Sequence, residues 1–117
     1  MGFTVINSLP TPDEIREQFP LAENLAEAKK KKDEDVKKII TGQSSKFLVI
    51  IGPCSADNED AVCDYANRLA RVQEKTKDKL VIIPRIYTNK PRTTGEGYMG
   101  MLHQPDPEKK PDMLEGI

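Results

Sequence analysis

Two apolar runs with a helical stretch between them do most to limit what this chain can fold into. Phe47 to Ile51 (FLVII) is an unbroken β-rich run, stopped by Gly52 and Pro53. A run without polar alternation predicts a strand buried on both faces, as in a parallel sheet. KLVIIPRIY, residues 79–87, predicts a second strand whose start lies roughly 33 residues after that of the first. The intervening ADNEDAVCDYANRLARVQEKTKD predicts a helix, capped by Asp57 or Asn58, with acids in its first turn and lysines in its last. Val62, Tyr65, Ala66 and Leu69 keep helical spacing. Together these segments make one strand–helix–strand unit, and a right-handed crossover sets its strands side by side and parallel.

Upstream, TPDEIREQF predicts a short helix with Thr11 as cap and Pro12 in its first turn. A longer helix is expected from about Leu21 to Thr41, stopped by Gly42. Its four-apart pairs are Glu27 with Lys31, Asp33 with Lys37 and Glu34 with Lys38. Leu21, Leu25, Ala28, Val36, Ile39 and Ile40 form a thin apolar stripe, and KKKKDED reads as a solvated face. From Thr88 onward the sequence is loop chemistry, until Pro111 and Asp112 open a last helix with Asp112 as its cap. Residues 1–45 thus form an arm and helix, and residues 46–117 a first β/α/β portion.

The chain has 117 residues, enough for one domain. It has no Trp and is only 37% hydrophobic, which is poor for a domain that must close its own core. Two parallel strands cannot close a barrel and leave open edges. The chain therefore reads as the first part of a larger α/β domain. Its 18 basic and 19 acidic residues nearly cancel, so nothing suggests a general attraction to nucleic acid or to an anionic membrane. No apolar run approaches the ~20 residues that span a bilayer. The start lacks the basic and long apolar regions of a signal peptide, which makes a reducing cytoplasm the default setting.

Sites in parallel α/β sheets lie at the carboxyl ends of the strands. The first strand ends at Cys54 and the second at Arg85, followed by YTNKPRTT. Adjacent parallel strands bring Cys54 and Arg85 to the same rim, one thiol beside the cations Arg85, Lys90 and Arg92. Arg85 is in phase with Val81 and Ile83. On an apolar face it needs either a buried salt bridge to an acid elsewhere or a bound carboxylate or phosphate, which guanidinium matches with paired donors. Pro91 pushes Lys90 towards an extended conformation, and Thr93 and Thr94 add hydroxyl donors. The loop is shaped for phosphate, or is an ordinary basic turn.

Cys54 reads as an inert buried thiol, a redox thiol or a metal ligand, and a neighbouring arginine favours its thiolate. Cys63, nine residues on, reads as a packed small side chain. With no CxxC and no Cys/His cluster, a self-contained zinc site is not expected. A redox module using both cysteines would have to join a strand end to its following helix. His103, the only histidine, sits in a loop and reads as a surface residue. GEGYMG, residues 95–100, satisfies GxGxxG but lies between a basic loop and MLHQP, so it is rejected as a dinucleotide-binding turn.

Taken together, VIIGPCS, PRIYTNKPRTT and GYMG resemble the type I 3-deoxy-D-arabino-heptulosonate 7-phosphate (DAHP) synthases, over nearly the whole chain. LPTPDEIREQFPL is similar to that family's N-terminal arm and DEDVKKIITG to the helix before its barrel. The resemblance implies the N-terminal part of a (β/α)8 TIM barrel, preceded by a helical arm and incomplete in this chain. It implies a transferase that condenses phosphoenolpyruvate with erythrose 4-phosphate, the first step of the shikimate pathway to chorismate and the aromatic amino acids. It implies a divalent metal (Mn, Fe, Co or Zn) and a dimer or tetramer. By motif, Cys54 resembles the metal-ligating cysteine and Arg85 an arginine that holds phosphoenolpyruvate. Lys90 resembles the catalytic lysine lying between the two substrates, and Arg92 with Thr93 the erythrose 4-phosphate clamp. Many relatives carry His-Asp where this chain has Asp57-Asn58. The family's other metal ligands, a His, a Glu and an Asp, come from later strands, and His103 sits in the wrong place to substitute. Two readings follow. In one, these residues act only when the rest of the barrel is present. In the other, the chain is a non-catalytic product, at most an interaction module that docks on full-length subunits.

Overall fold

A computed structural model describes residues 2–117. Its elements are α1 (Pro12–Gln18), α2 (Glu23–Ile40), β1 (Phe47–Ile51), α3 (Glu59–Thr76), β2 (Leu80–Pro84) and α4 (Met113–Gly116).

Local chemistry sets most of these boundaries. Thr11 and Glu14 form a reciprocal capping box on α1: the Thr11 backbone N–H donates to the Glu14 carboxylate at 2.7 Å, and the Glu14 N–H donates to the Thr11 hydroxyl at 3.3 Å. α2 begins two residues later than expected and has no side-chain cap at Ala22. It ends in a Schellman turn. Gly42, at φ 74°, lets its own N–H reach the Ile39 carbonyl while the Gln43 N–H reaches that of Lys38. None of the three expected ion pairs on this helix forms; Lys29 pairs with Asp33 at 2.5 Å instead. These side chains are exposed, and several lysines compete for each acid at almost equal cost. On α3 it is Asn58, of the two candidates, that caps, accepting the Ala61 N–H at 2.9 Å. Asp112 caps α4 through the amides of Leu114 and Glu115.

The two strands pair in parallel, from Phe47 opposite Leu80 to Ile51 opposite Pro84. α3 packs against β2, and α2 lies against β1. α3 is also tied to β2 by Gln73, whose Nε2 donates to the Leu80 carbonyl at 3.0 Å while its Oε1 accepts the Ile82 N–H at 2.6 Å.

The expectation that the first strand is buried on both faces is not met. Phe47 is 70% exposed and Ile50 64%. Among the described residues the sheet has two strands, with α3 packed on β2 and only slight contact between α2 and β1, which leaves much of β1 open. Among the described residues the buried hydrophobic ones are Ala56, Val81 and Ile82. The radius of gyration is 18.0 Å, against about 13 Å for a compact domain of similar length. In the arm Phe3, Val5 and Ile6 are all exposed.

Candidate functional site at the carboxyl rim

The rim is built from the two segments that leave the sheet. The last rung of the ladder is the Arg85 N–H on the Ile51 carbonyl, at 2.9 Å. Beyond it the two loops stay together: the Ala56 N–H donates to the Tyr87 carbonyl at 3.0 Å. Gly52 allows this approach, because a Cβ there would overlap the Arg85 carbonyl. The Gly-Pro stop after β1 therefore brings Cys54 alongside the second loop as well as ending the strand.

Cys54 and Lys90 meet there. The Lys90 ammonium donates to the Cys54 sulfur at 2.8 Å. That hydrogen bond and the accompanying charge hold the thiol below its usual pKa, and Arg85 and Arg92 pull the same way from farther off. Cys54 is exposed, so the buried, inert reading does not apply to it. Cys54 and Cys63 are both free thiols.

Arg85 departs from expectation. It is exposed, not buried on the face of Val81 and Ile83, and no acid pairs with it among the described residues. β2 ends at Pro84, so Arg85 has already left the pleat. Its Nη2 donates to the Pro53 carbonyl at 2.9 Å, and its guanidinium lies 5.0 Å from the Tyr87 ring centroid. The remaining N–H groups are open to a ligand.

Arg92 is held as a fork, with Nε and Nη2 both donating to the Tyr98 carbonyl at 3.0 and 2.8 Å. Thr93 and Thr94 lie exposed beside it. The rim thus gathers Cys54, Arg85 and Lys90, with Arg92 and Thr93 one turn farther along the loop.

The sequence reading missed the splint behind this loop. The Lys90 N–H bonds the Met99 carbonyl at 2.6 Å, and the Leu102 N–H bonds that of Thr88 at 3.0 Å. His103, half-buried, shares a 2.8 Å hydrogen bond between its Nε2 and the Asn89 Oδ1. Gly100, at φ 110°, sits so close to the Thr88 carbonyl that a Cβ would overlap it. The glycines of GEGYMG were the available signal. Among them it is Gly100 that marks the close backbone approach; Gly95 and Gly97 meet no neighbouring backbone.

What the rim offers chemically is a thiol with a lowered pKa and convergent cations, which suit anions and one soft metal-ligand position. A metal centre takes three or four protein ligands. Among the described residues no group of three or more His, Cys, Asp or Glu is placed to hold a metal ion; Cys54 by itself offers one soft donor. A groove between the arm and α4 carries Glu14 and Glu115, the wrong sign for a phosphorylated ligand.

Comparison with known proteins bears on the family of the chain. The model of the DAHP synthetase I family matches residues 20–113. The Phe-sensitive phospho-2-dehydro-3-deoxyheptonate aldolase of Escherichia coli (strain K12) is 36% identical over 112 residues, 96% of this chain and 32% of that protein. The phenylalanine-inhibited enzyme of Saccharomyces cerevisiae is 36% identical over 109 residues, covering 93% of this chain and 29% of its own. The solved structure of the aldolase from Francisella tularensis SCHU S4 superposes with a TM-score of 0.88 at 27% identity, over 98% of this chain and 33% of that one. The chain spans about a third of the length of the curated relatives it matches.

Proposed function

The chain belongs to the DAHP synthetase I family, and from that premise we propose that its rim serves the condensation of phosphoenolpyruvate with erythrose 4-phosphate to DAHP. The observation that carries this is the 2.8 Å meeting of Lys90 and Cys54 at the carboxyl end of a parallel pair, with Arg85 on the same rim. On this reading β1 and β2 open a (β/α)8 barrel, and the rim is part of its mouth.

The roles are those that the family resemblance implies, and charge is compatible with each. Arg85 holds phosphoenolpyruvate, its unused guanidinium donors matching a carboxylate or phosphate in a paired geometry. Arg92 and Thr93 clamp the phosphate of erythrose 4-phosphate. Lys90 lies between them and offsets negative charge where the two anions are brought together. Cys54 is one ligand of a divalent metal (Mn, Fe, Co or Zn). Such a metal supplies Lewis-acid polarisation of the sugar aldehyde when bound.

Calorimetric titration with phosphoenolpyruvate tests the assignment. Saturable binding is expected, weakened about tenfold or more in Arg85→Ala, the scale of a lost charge-assisted hydrogen bond. Equal affinity in the two proteins would remove Arg85 from the site.

A second reading has its own observation. Few residues are buried, and Phe3, Ile6, Phe47 and Ile50 are open to solvent. The 117-residue chain by itself is then non-catalytic and at most docks on full-length subunits. With both substrates and Mn²⁺, no loss of phosphoenolpyruvate is expected; turnover would contradict it.

A further inference from the structure

Three consecutive residues of the loop after β2 are tied to one short segment that follows it. The Thr88 carbonyl accepts the Leu102 N–H at 3.0 Å, and the Lys90 N–H donates to the Met99 carbonyl at 2.6 Å. Between these two ties, the His103 Nε2 lies 2.8 Å from the Asn89 Oδ1. An amide oxygen only accepts, so the imidazole donates from Nε2. The outer ties are backbone to backbone and form with almost any side chain. The middle one needs these two side chains.

His103 is itself presented by backbone. Its N–H and that of Gln104 both donate to the Gly100 carbonyl at 3.1 Å. Gly100 is buried against Thr88, where a Cβ would overlap the carbonyl. That turn stands without the imidazole, which is left to serve the neighbouring loop. Asn89 is exposed and belongs to no helix or strand, so no ladder fixes it. Lys90 comes next, and Pro91 after it restricts the Lys90 backbone. Holding Asn89 therefore sets where the flexible lysine stem begins. The far end of that stem meets the Cys54 sulfur at 2.8 Å.

We propose that His103 is a positioning residue for Lys90: by holding the Asn89 side chain it sets the course of the loop from which the ammonium reaches the rim. The functional meaning of this rests on the reading of Lys90 as the residue between the two substrates. The tie itself is a property of the chain without substrate.

Solution NMR of the 117-residue chain, with neither substrate present, tests it. In the parent a nuclear Overhauser contact joins the Lys90 Hε and Cys54 Hβ protons. His103→Phe keeps a flat ring and loses the donor. In that variant the contact falls to about half or less, and the Lys90 and Leu102 amides exchange about two- to tenfold faster, the factor for one net hydrogen bond. Val81 and Ile83, inside the ladder, exchange as in the parent. His103→Gln restores both readouts, because its carboxamide N–H reaches the same acceptor. Asn89→Ala matches His103→Phe, and combining the two adds nothing further. An unchanged Overhauser contact in His103→Phe overturns the proposal, as does a His103→Gln that behaves like His103→Phe. Additive losses in the double variant, or faster exchange at Val81 and Ile83, also overturn it, because His103 would then support the fold by another route. Equal phosphoenolpyruvate affinity in the parent and Arg85→Ala would count against the synthase reading and leave all of these outcomes as they stand.

Discussion

Lys90 donates a hydrogen bond to the Cys54 sulfur across 2.8 Å, although 36 residues separate them in the chain. The contact exists because two parallel strands end together and the loops beyond them stay in register.

Replacing Lys90 by Met removes the strongest influence on the Cys54 thiol. The sign is set by charge: a cation favours thiolate and lowers the pKa, so its loss raises the pKa. Alkylation of Cys54 by iodoacetamide near neutral pH should slow roughly three- to tenfold, the lost thiolate being partly offset by higher intrinsic nucleophilicity. Peptide mapping by mass spectrometry separates Cys54 from Cys63. An unchanged Cys54 rate would show that Lys90 does not act on the sulfur in solution.

Gly52→Ala would force a methyl group into the Arg85 carbonyl, which is backbone and cannot swing aside. Overpacking of this kind costs about 1–3 kcal/mol. The variant should melt earlier by circular dichroism, and amide exchange at Arg85 and Ala56 should rise more than at Val81. A melt equal to the parent's would show that the two loops stand farther apart than described.

The α1 cap should be pH-dependent. Glu14 has its pKa lowered by the Thr11 backbone N–H and then by the Thr11 hydroxyl. A carboxylate with a depressed folded pKa stabilises above its unfolded pKa and loses that effect as pH falls through the folded value. Helical signal from Pro12–Gln18 should therefore persist through the ordinary carboxylate range and fade below it. In Thr11→Ala the signal should fade at higher pH, followed by NMR shifts of Glu14 and Ile15. Coincident titrations would remove the box.

Arg92→Lys keeps the charge and loses the fork on the Tyr98 carbonyl. A lysine is a point donor on a flexible stem. Phosphoenolpyruvate affinity should change little, because Arg85 carries that contact in the proposed assignment. Erythrose 4-phosphate binding should weaken about tenfold, the scale of a lost charge-assisted bond. Equal weakening for both ligands would undo the division of roles.

Local signals were legible in the sequence. Phe47–Ile51 is a strand from end to end, and Thr11, Asn58 and Asp112 cap as short polar side chains before helical runs do. The placement of Cys54 and Arg85 on one rim followed from parallel pairing alone. What could not be read is long-range and aperiodic. Gln73 sits in the last turn of α3 among other polar residues, and nothing local tells that its amide finds a strand edge. Asn89 and His103 meet through a loop crossing with no spacing rule. Arg85 was assigned to an apolar face by alternation, which holds only while the chain remains a strand, and Pro84 ends it one residue too soon.

The bond between the Ala56 N–H and the Tyr87 carbonyl makes loop length part of the chemistry. A one-residue insertion between Gly52 and Ala56, or between Arg85 and Tyr87, would slip one segment past the other and carry the sulfur out of the ammonium's reach. Rim segments of α/β proteins usually tolerate such changes freely. Here the count of residues on each side is as constrained as their identity.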